Sequence, residues 1–394
     1  MKFYCNVHML QRLLVWQIVL LFVAILFSKA LIEILLISII VTWMVKRSSE
    51  KNFTFPINPL RVPFLLFLLS GAISLVNSPN LGKSLGELIN LSEYVLVCLI
   101  ATEILTDKDD MYKLFGIVIM ASLLMGLDGY FQMIYGHDIL FGRAVGTVGD
   151  TWRMSASFKH PNTLGAYVAG MLPVFIAFLY EQKKRCAPRW CMLSVFIVIV
   201  LLIGCLLLSY SRGAWVGVFG GILLLGLLKD RKLIILIFLL FLPLLMSASM
   251  MERARGIINL EDVSLQTRLQ TWKLAWEMFL AHPLIGQGLK SFSVIHQQGY
   301  VHNCLLQILA ETGLLGLSAF AFVLIRFFQK VLKSPDFLIC GIASGVFAIC
   351  LHSLVDTHFY SLILATMTWL MIGLGLRSVN PVHKAALEKK PSRS

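Results

Sequence analysis

The sequence predicts an all-α polytopic membrane protein, and three observations predict it. Hydrophobic residues make up 58% of the 394 and charged residues only 14%. Mean hydropathy is +0.81, so too little polar surface exists to cover a soluble globule of this length. The apolar residues also arrive in runs near the roughly 20 residues that cross a bilayer as helix.

The first two runs, 13–28 and 30–45, are separated only by Ser28-Lys29. A removable leader would be followed by polar mature sequence, so the pair reads as a transmembrane hairpin. Further spans are predicted at 60–77, 86–105, 112–135, 162–180, 191–210, 213–228, 232–249, 303–328, 337–354 and 359–376, about twelve in all. The chain reads as one transmembrane domain, 1–394, without linker, low-complexity tract or internal repeat. Two connections are long enough to carry a site: 250–301, the main one, and 136–161. Residues 377–394 form a tail.

With the N-terminus inside, most of the 34 Lys and Arg residues fall on the cytoplasmic side, as the positive-inside rule requires. Both termini are then cytoplasmic and both long connections periplasmic. The formal charge of +13 follows from this topology and from attraction to anionic lipid, not from nucleic-acid binding. None of the eight cysteines falls in an outer loop where a disulfide would form, and they read as apolar filler.

In the main loop, Val263 to Leu280 has helical periodicity, with Leu265, Leu269, Trp272, Trp276, Phe279 and Leu280 on one face and Gln266, Gln270, Lys273 and Glu277 on the other. Such a helix is expected to lie flat in the membrane interface. Arg268 falls at the edge of the apolar face. It is either a snorkelling side chain on lipid phosphate or part of an anion site. The following His282-Pro283-Leu284-Ile285-Gly286-Gln287-Gly288 cannot continue the helix and reads as a turn.

Arg212, in Ser211-Arg212-Gly213-Ala214-Trp215, occupies a very short outer turn. A guanidinium at such a boundary is either interfacial or functional. His302-Asn303 is followed by nine residues and then Gly313-Leu314-Leu315-Gly316. It places an imidazole where a polar loop enters a span; alone, that imidazole could merely hydrogen-bond the loop. The two glycines, like Gly217, Gly220, Gly221 and Gly226, read as helix packing. Glu311, deep in a span, needs a partner the sequence does not identify.

The smaller outer loop adds Arg143, Arg153, Lys159, His160 and Asn162, a cluster that can steer anions, while Pro161-Asn162 is also an ordinary helix start. His352 and Asp356 are one helical turn apart, with His358 following. They can orient His302, meet an acceptor, or form a structural pair. Asp107-Lys108-Asp109-Asp110 lies on a cytoplasmic turn and reads as a solvated linker.

Taken together, Ser211-Arg212-Gly213, Arg268 and His302-Asn303 with Gly313 and Gly316 resemble the O-antigen ligase and polymerase superfamily of bacterial membrane glycosyltransferases. The resemblance implies a GT-C-like architecture in the bacterial inner membrane with a periplasmic active site. It implies transfer of O-antigen from undecaprenyl diphosphate to lipid A-core oligosaccharide, with a polymerase or another envelope glycan ligase as the alternative. It also implies His302 as general base and Arg212 and Arg268 as diphosphate ligands. Arg143, Arg153, Lys159, Asn303, His352 and Asp356 are the expected secondary contacts.

The chemistry suits the residue types. An unperturbed imidazole titrates near pH 6.5 and can take a proton from a sugar hydroxyl. Arg binds phosphate through parallel N–H donors without titrating. Metal-dependent enzymes of this broad type carry acidic residues in the first outer loop. Here that loop is Ser28-Lys29, so neither metal nor cofactor is expected. A transporter of lipid-linked glycan is the reading from a different class. Transporters, however, place ionisable groups near the midplane and show repeats, whereas the basic groups here collect at outer span ends.

Overall fold

The computed structural model describes residues 2–52, 58–105, 107–148, 151–235, 263–297 and 299–377. Among these the fold is helical: α1 (Lys2–Phe27), α2 (Lys29–Ser49), α3 (Arg61–Ser74), α4 (Leu81–Ile104), α5 (Lys108–Tyr135), α6 (Pro161–Lys184), α7 (Arg189–Ser209), α8 (Arg212–Leu228), α9 (Val263–Ala281), α10 (Ser291–His296), α11 (Cys304–Val331), α12 (Phe337–His352) and α13 (Leu362–Leu376). Six of the described helices are long and apolar enough to cross a membrane, among them α4, α5, α6, α7 and α11; α3, α8, α12 and α13 are shorter and apolar. The predicted spans coincide with helices, that at 30–45 with α2, which is not among the six, and 232–249 lies largely outside the described residues.

Side-chain chemistry explains the starts. Ser28 Oγ accepts from Leu31 N at 3.3 Å, and Asn80 Oδ1 from Lys83 N at 3.0 Å. Asp107 Oδ1 accepts from Asp109 N at 3.0 Å, so this acidic run caps α5. These are the N-cap bonds that satisfy otherwise orphaned amides.

Helices α6 and α13 are apolar all round and buried along most of their length, which makes them the centre of the bundle. Helix α12 packs on both α6 and α8, α13 on α4, and α11 on α3. Gly217 and Gly221 let α8 approach the α12 backbone. A Cβ at these positions would stand 2.7 Å from Ala348 O and 2.9 Å from Ser344 O, as close packing by small residues requires. At the end of the bundle away from His302, Arg47 pairs with Glu103 at 2.6 Å and Lys108 with Asp336 at 3.0 Å.

Two features depart from the sequence reading. The 136–161 connection holds a short antiparallel ribbon, Gly146–Val148 with Thr151–Arg153. Cys186 is exposed at the α6–α7 turn rather than apolar filler.

Candidate functional site

Helix α11 is not continuous. Gly313 has φ 64° and ψ −164°, a conformation only glycine adopts without strain, and it divides the helix. The Pro283–Gly288 turn fills the break. Leu314 N donates to Pro283 O at 2.9 Å, Leu315 N to Leu284 O at 3.1 Å, Gln287 N to Ala310 O at 3.0 Å and Gly288 N to Glu311 O at 2.9 Å. The backbone groups released by the break are thus satisfied by the loop. The role expected for Gly313 is therefore corrected: it admits a loop, not a neighbouring helix. A Cβ there would lie 2.4 Å from the Leu284 carbonyl carbon, and one at Gly286 2.3 Å from the Glu311 carbonyl carbon.

The same docking seats α9. Its inward face is Thr271, Ala275 and Met278, with Arg268 on the same stripe, while Leu269, Trp276 and Leu280 stay exposed. The helix therefore has two apolar stripes: one packs on α11, and the other is available to the membrane interface. Thr271 Oγ1 donates to Val301 O at 2.8 Å, and Trp272 Nε1 to His302 O at 3.3 Å. Asn303 is the N-cap of α11, its Oδ1 accepting from Leu306 N at 3.1 Å. Between these anchors His302 holds φ 57°. Non-glycine residues rarely take this conformation, and it clusters at functional sites.

His302 Nδ1 lies 3.3 Å from Asp356 Oδ1. Asp356 also accepts from Thr357 N at 2.9 Å and from Asn162 Nδ2 at 3.3 Å. Asn162 Oδ1 in turn accepts from Arg153, whose Nε donates to Ser209 O at 2.9 Å. A relay thus runs from Arg153 through Asn162 and Asp356 to His302, joining four connections at one end of the bundle. Burial alone would raise the Asp356 carboxyl, but the His302 hydrogen bond and the His358 and His352 rings hold it well below the ordinary carboxylate range.

His352 and His358 stand edge to face, centroids 4.1 Å apart. Gly213 leaves room for His352: a Cβ there would sit 2.5 Å from the ring. The start of α8 is thereby brought against His352 at Gly213, the residue after Arg212. Arg268 is close enough to act on His352 electrostatically. Arg268 thus stands within electrostatic range of the His–Asp–His cluster, and Gly213, next to Arg212 in the chain, packs against its His352 ring.

His352, Asp356 and His358 also place ligand atoms within 4.8 Å of one another, a spacing a cation can use. Against that use, Asp356 already accepts three hydrogen bonds, and Arg268 adds positive charge nearby.

His302, Asp356 and His358 open onto a cavity of about 840 Å³, whose lining includes Arg153, Lys159 and His160 but neither Arg212 nor Arg268. Burial lowers the His160 ring, with Lys159 adding to the effect. Arg143 lies elsewhere: its guanidinium bonds Ser157 O and stacks 4.1 Å over Phe141, shaping its own loop. Glu311 receives Gln307 Nε2 at 3.2 Å.

The sequence reading missed Glu33, Glu87, Glu93, Lys290 and Tyr300, which also line the cavity. Carboxylates inside a predicted span were the signal that could have found Glu87 and Glu93.

Residues 197–321 match the O-antigen ligase family model. The match supports the O-antigen ligase superfamily resemblance and an O-antigen ligase or polymerase type of function. It spans Arg212, Arg268 and His302 through Gly316, and it ends before Asp356. The side chains of the relay, Asp356, Asn162 and Arg153, thus come from outside the matched segment, whereas the Trp272 and Asn303 anchors lie within it. No curated protein matches the chain.

Proposed function

We propose that this protein is a metal-independent, inverting glycosyltransferase of the O-antigen ligase type, moving a glycan from undecaprenyl diphosphate to lipid A-core oligosaccharide at the periplasmic face of the inner membrane. The observation that carries the reading is the His302–Asp356 contact opening onto the cavity, with Arg268 within electrostatic range of the neighbouring His352.

An Nδ1–H donating to Asp356 selects the tautomer in which His302 Nε2 accepts a proton. In the proposed reaction that nitrogen takes the acceptor hydroxyl proton while the oxygen attacks C1 of the donor sugar. The C1–oxygen bond to the diphosphate breaks, and its electron pair leaves on the diphosphate oxygen. Arg212 and Arg268 stabilise the charge that develops there. Attack opposite the leaving group inverts the anomeric centre. Arg153 and Asn162 hold Asp356 in place, and Lys159 faces the cavity.

The expected orientation, with about twelve spans and both termini cytoplasmic, puts the cavity on the periplasmic side, where a flipped lipid-linked donor would be met. Polymerisation needs the same base and clamp and differs in acceptor. Reconstitution in liposomes with a defined undecaprenyl-diphosphate glycan, offering lipid A-core or a second glycan-lipid, tests both. Sugar gained by lipid A-core supports the ligase reading, sugar gained by the glycan-lipid makes the protein a polymerase, and translocation of donor without any glycosidic product overturns transfer.

A further inference from the structure

The cavity in front of His302 is lined by groups of both charges. Lys29, Arg153, Lys159 and His160 line one part, and Glu33, Glu87, Asn90 and Glu93 line another, with Tyr94 and Tyr300. Glu87, 8% exposed, is neutralised by Lys290 at 3.5 Å. Glu33 and Glu93 have no ion-pair partner among the described residues, yet they stand within electrostatic range of each other. Tyr94 is within range of Glu33, Glu87, Glu93 and Tyr300, so α2, α4 and the loop before His302 converge on one patch.

Carboxylates at a membrane edge persist where they line a wet cavity and meet ligand, and here Lys29, one turn before Glu33 on α2, is the nearest cation along the helix. His358, 3% exposed, also contributes to the lining, while its buried Nε2 has no hydrogen-bond partner among the described residues. Ionised carboxylates only accept hydrogen bonds. They therefore suit hydroxyl-rich ligands, and tyrosine rings add apolar faces for sugar rings. The same charge repels anions, which excludes the diphosphate from this wall and penalises any acidic sugar.

We propose that Glu33, Asn90 and Glu93, backed by Tyr94 and the Glu87–Lys290 pair, form a glycan subsite on the acceptor side of His302 that takes neutral, hydroxyl-rich sugars and rejects anionic ones. Only the assignment to the acceptor side rests on the glycosyltransferase reading. Calorimetry on the full chain in nanodiscs, with maltotetraose and tetragalacturonate as size-matched probes, tests the subsite without turnover. The wild-type protein should prefer maltotetraose by about tenfold or more, and Glu33→Gln/Glu93→Gln should narrow that ratio by about tenfold, the scale of a charged hydrogen bond. Should the double variant fail to fold, Glu33→Gln at its exposed position should move the ratio in the same direction. Equal affinities, no binding of either probe, or an unchanged ratio in the variant would overturn the subsite. Selective maltotetraose binding by a protein that transfers no glycan would keep the subsite and remove the transferase reading. Transfer without that selectivity would do the reverse.

Discussion

His302 and Asp356 lie 54 residues apart in the chain, and their side chains meet at 3.3 Å. In the proposed reaction this contact orients the imidazole as a base. Replacing His302 with Ala should lower glycan transfer by about 10²–10⁴-fold with donor binding retained. Asp356→Asn, which keeps the shape but not the charge, should cost about tenfold or more in kcat with little change in KM. A kcat left unchanged by either substitution, measured in liposomes, would remove that residue from the mechanism.

Arg212→Lys and Arg268→Lys keep the charge and lose the planar fork. Each should slow turnover by about tenfold, because one ammonium cannot reproduce two parallel N–H donors on a phosphate. Full activity in both variants, by the same assay, would show that the diphosphate is held elsewhere.

Gly313→Ala introduces a Cβ where the backbone is left-handed and Leu284 is 2.4 Å away. The loss should be on the order of 2 kcal/mol or more, since the loop that fills the helix break must move. Thermal melting in detergent reads this as a lower midpoint, and an unchanged midpoint would contradict the broken helix. Gly116→Ala in α5, where an added Cβ would meet open space, is the comparison.

Burial lowers the His358 ring below its ordinary range, Asp356 opposing and His302 adding to the effect. The unfolded chain therefore binds the proton first as pH falls. Stability from this site should be complete above about pH 6.5 and decline as pH drops from there through the lowered folded value. Melting midpoints between pH 5 and 8 should fall on the acid side, and His358→Gln should flatten that slope. An identical slope in the variant would assign the acid sensitivity to other groups.

Transfer should survive EDTA. If activity disappears with chelator and returns with a divalent ion, the His352–Asp356–His358 cluster becomes a metal site and the arginine clamp loses its reason.

The helices were legible because a bilayer enforces a simple code: long apolar runs, basic residues on one side, and Ser, Asn or Asp at the starts. His302, Arg212 and Arg268 were legible because charged groups are conspicuous at the ends of such runs. Asp356 was legible only as one of several candidates, since nothing local says that it faces His302. Gly313 was misread as packing, because its partner, Leu284, lies in a loop whose path the sequence does not encode locally. Glu33, Glu87 and Glu93 passed unread although each lies inside a predicted span, because nothing local says that they share one cavity.

By itself, then, the amino-acid order determined that this is an all-α membrane protein with basic and imidazole groups gathered at one set of connections. Composition and run length report solvation, and solvation is local. Only the tertiary structure decided that Asp356 meets His302, that α11 breaks to receive the 283–288 turn, and that three glutamates share a cavity lining with His302. Those relationships depend on which helices pack together, and packing is settled by the shape of every neighbour at once.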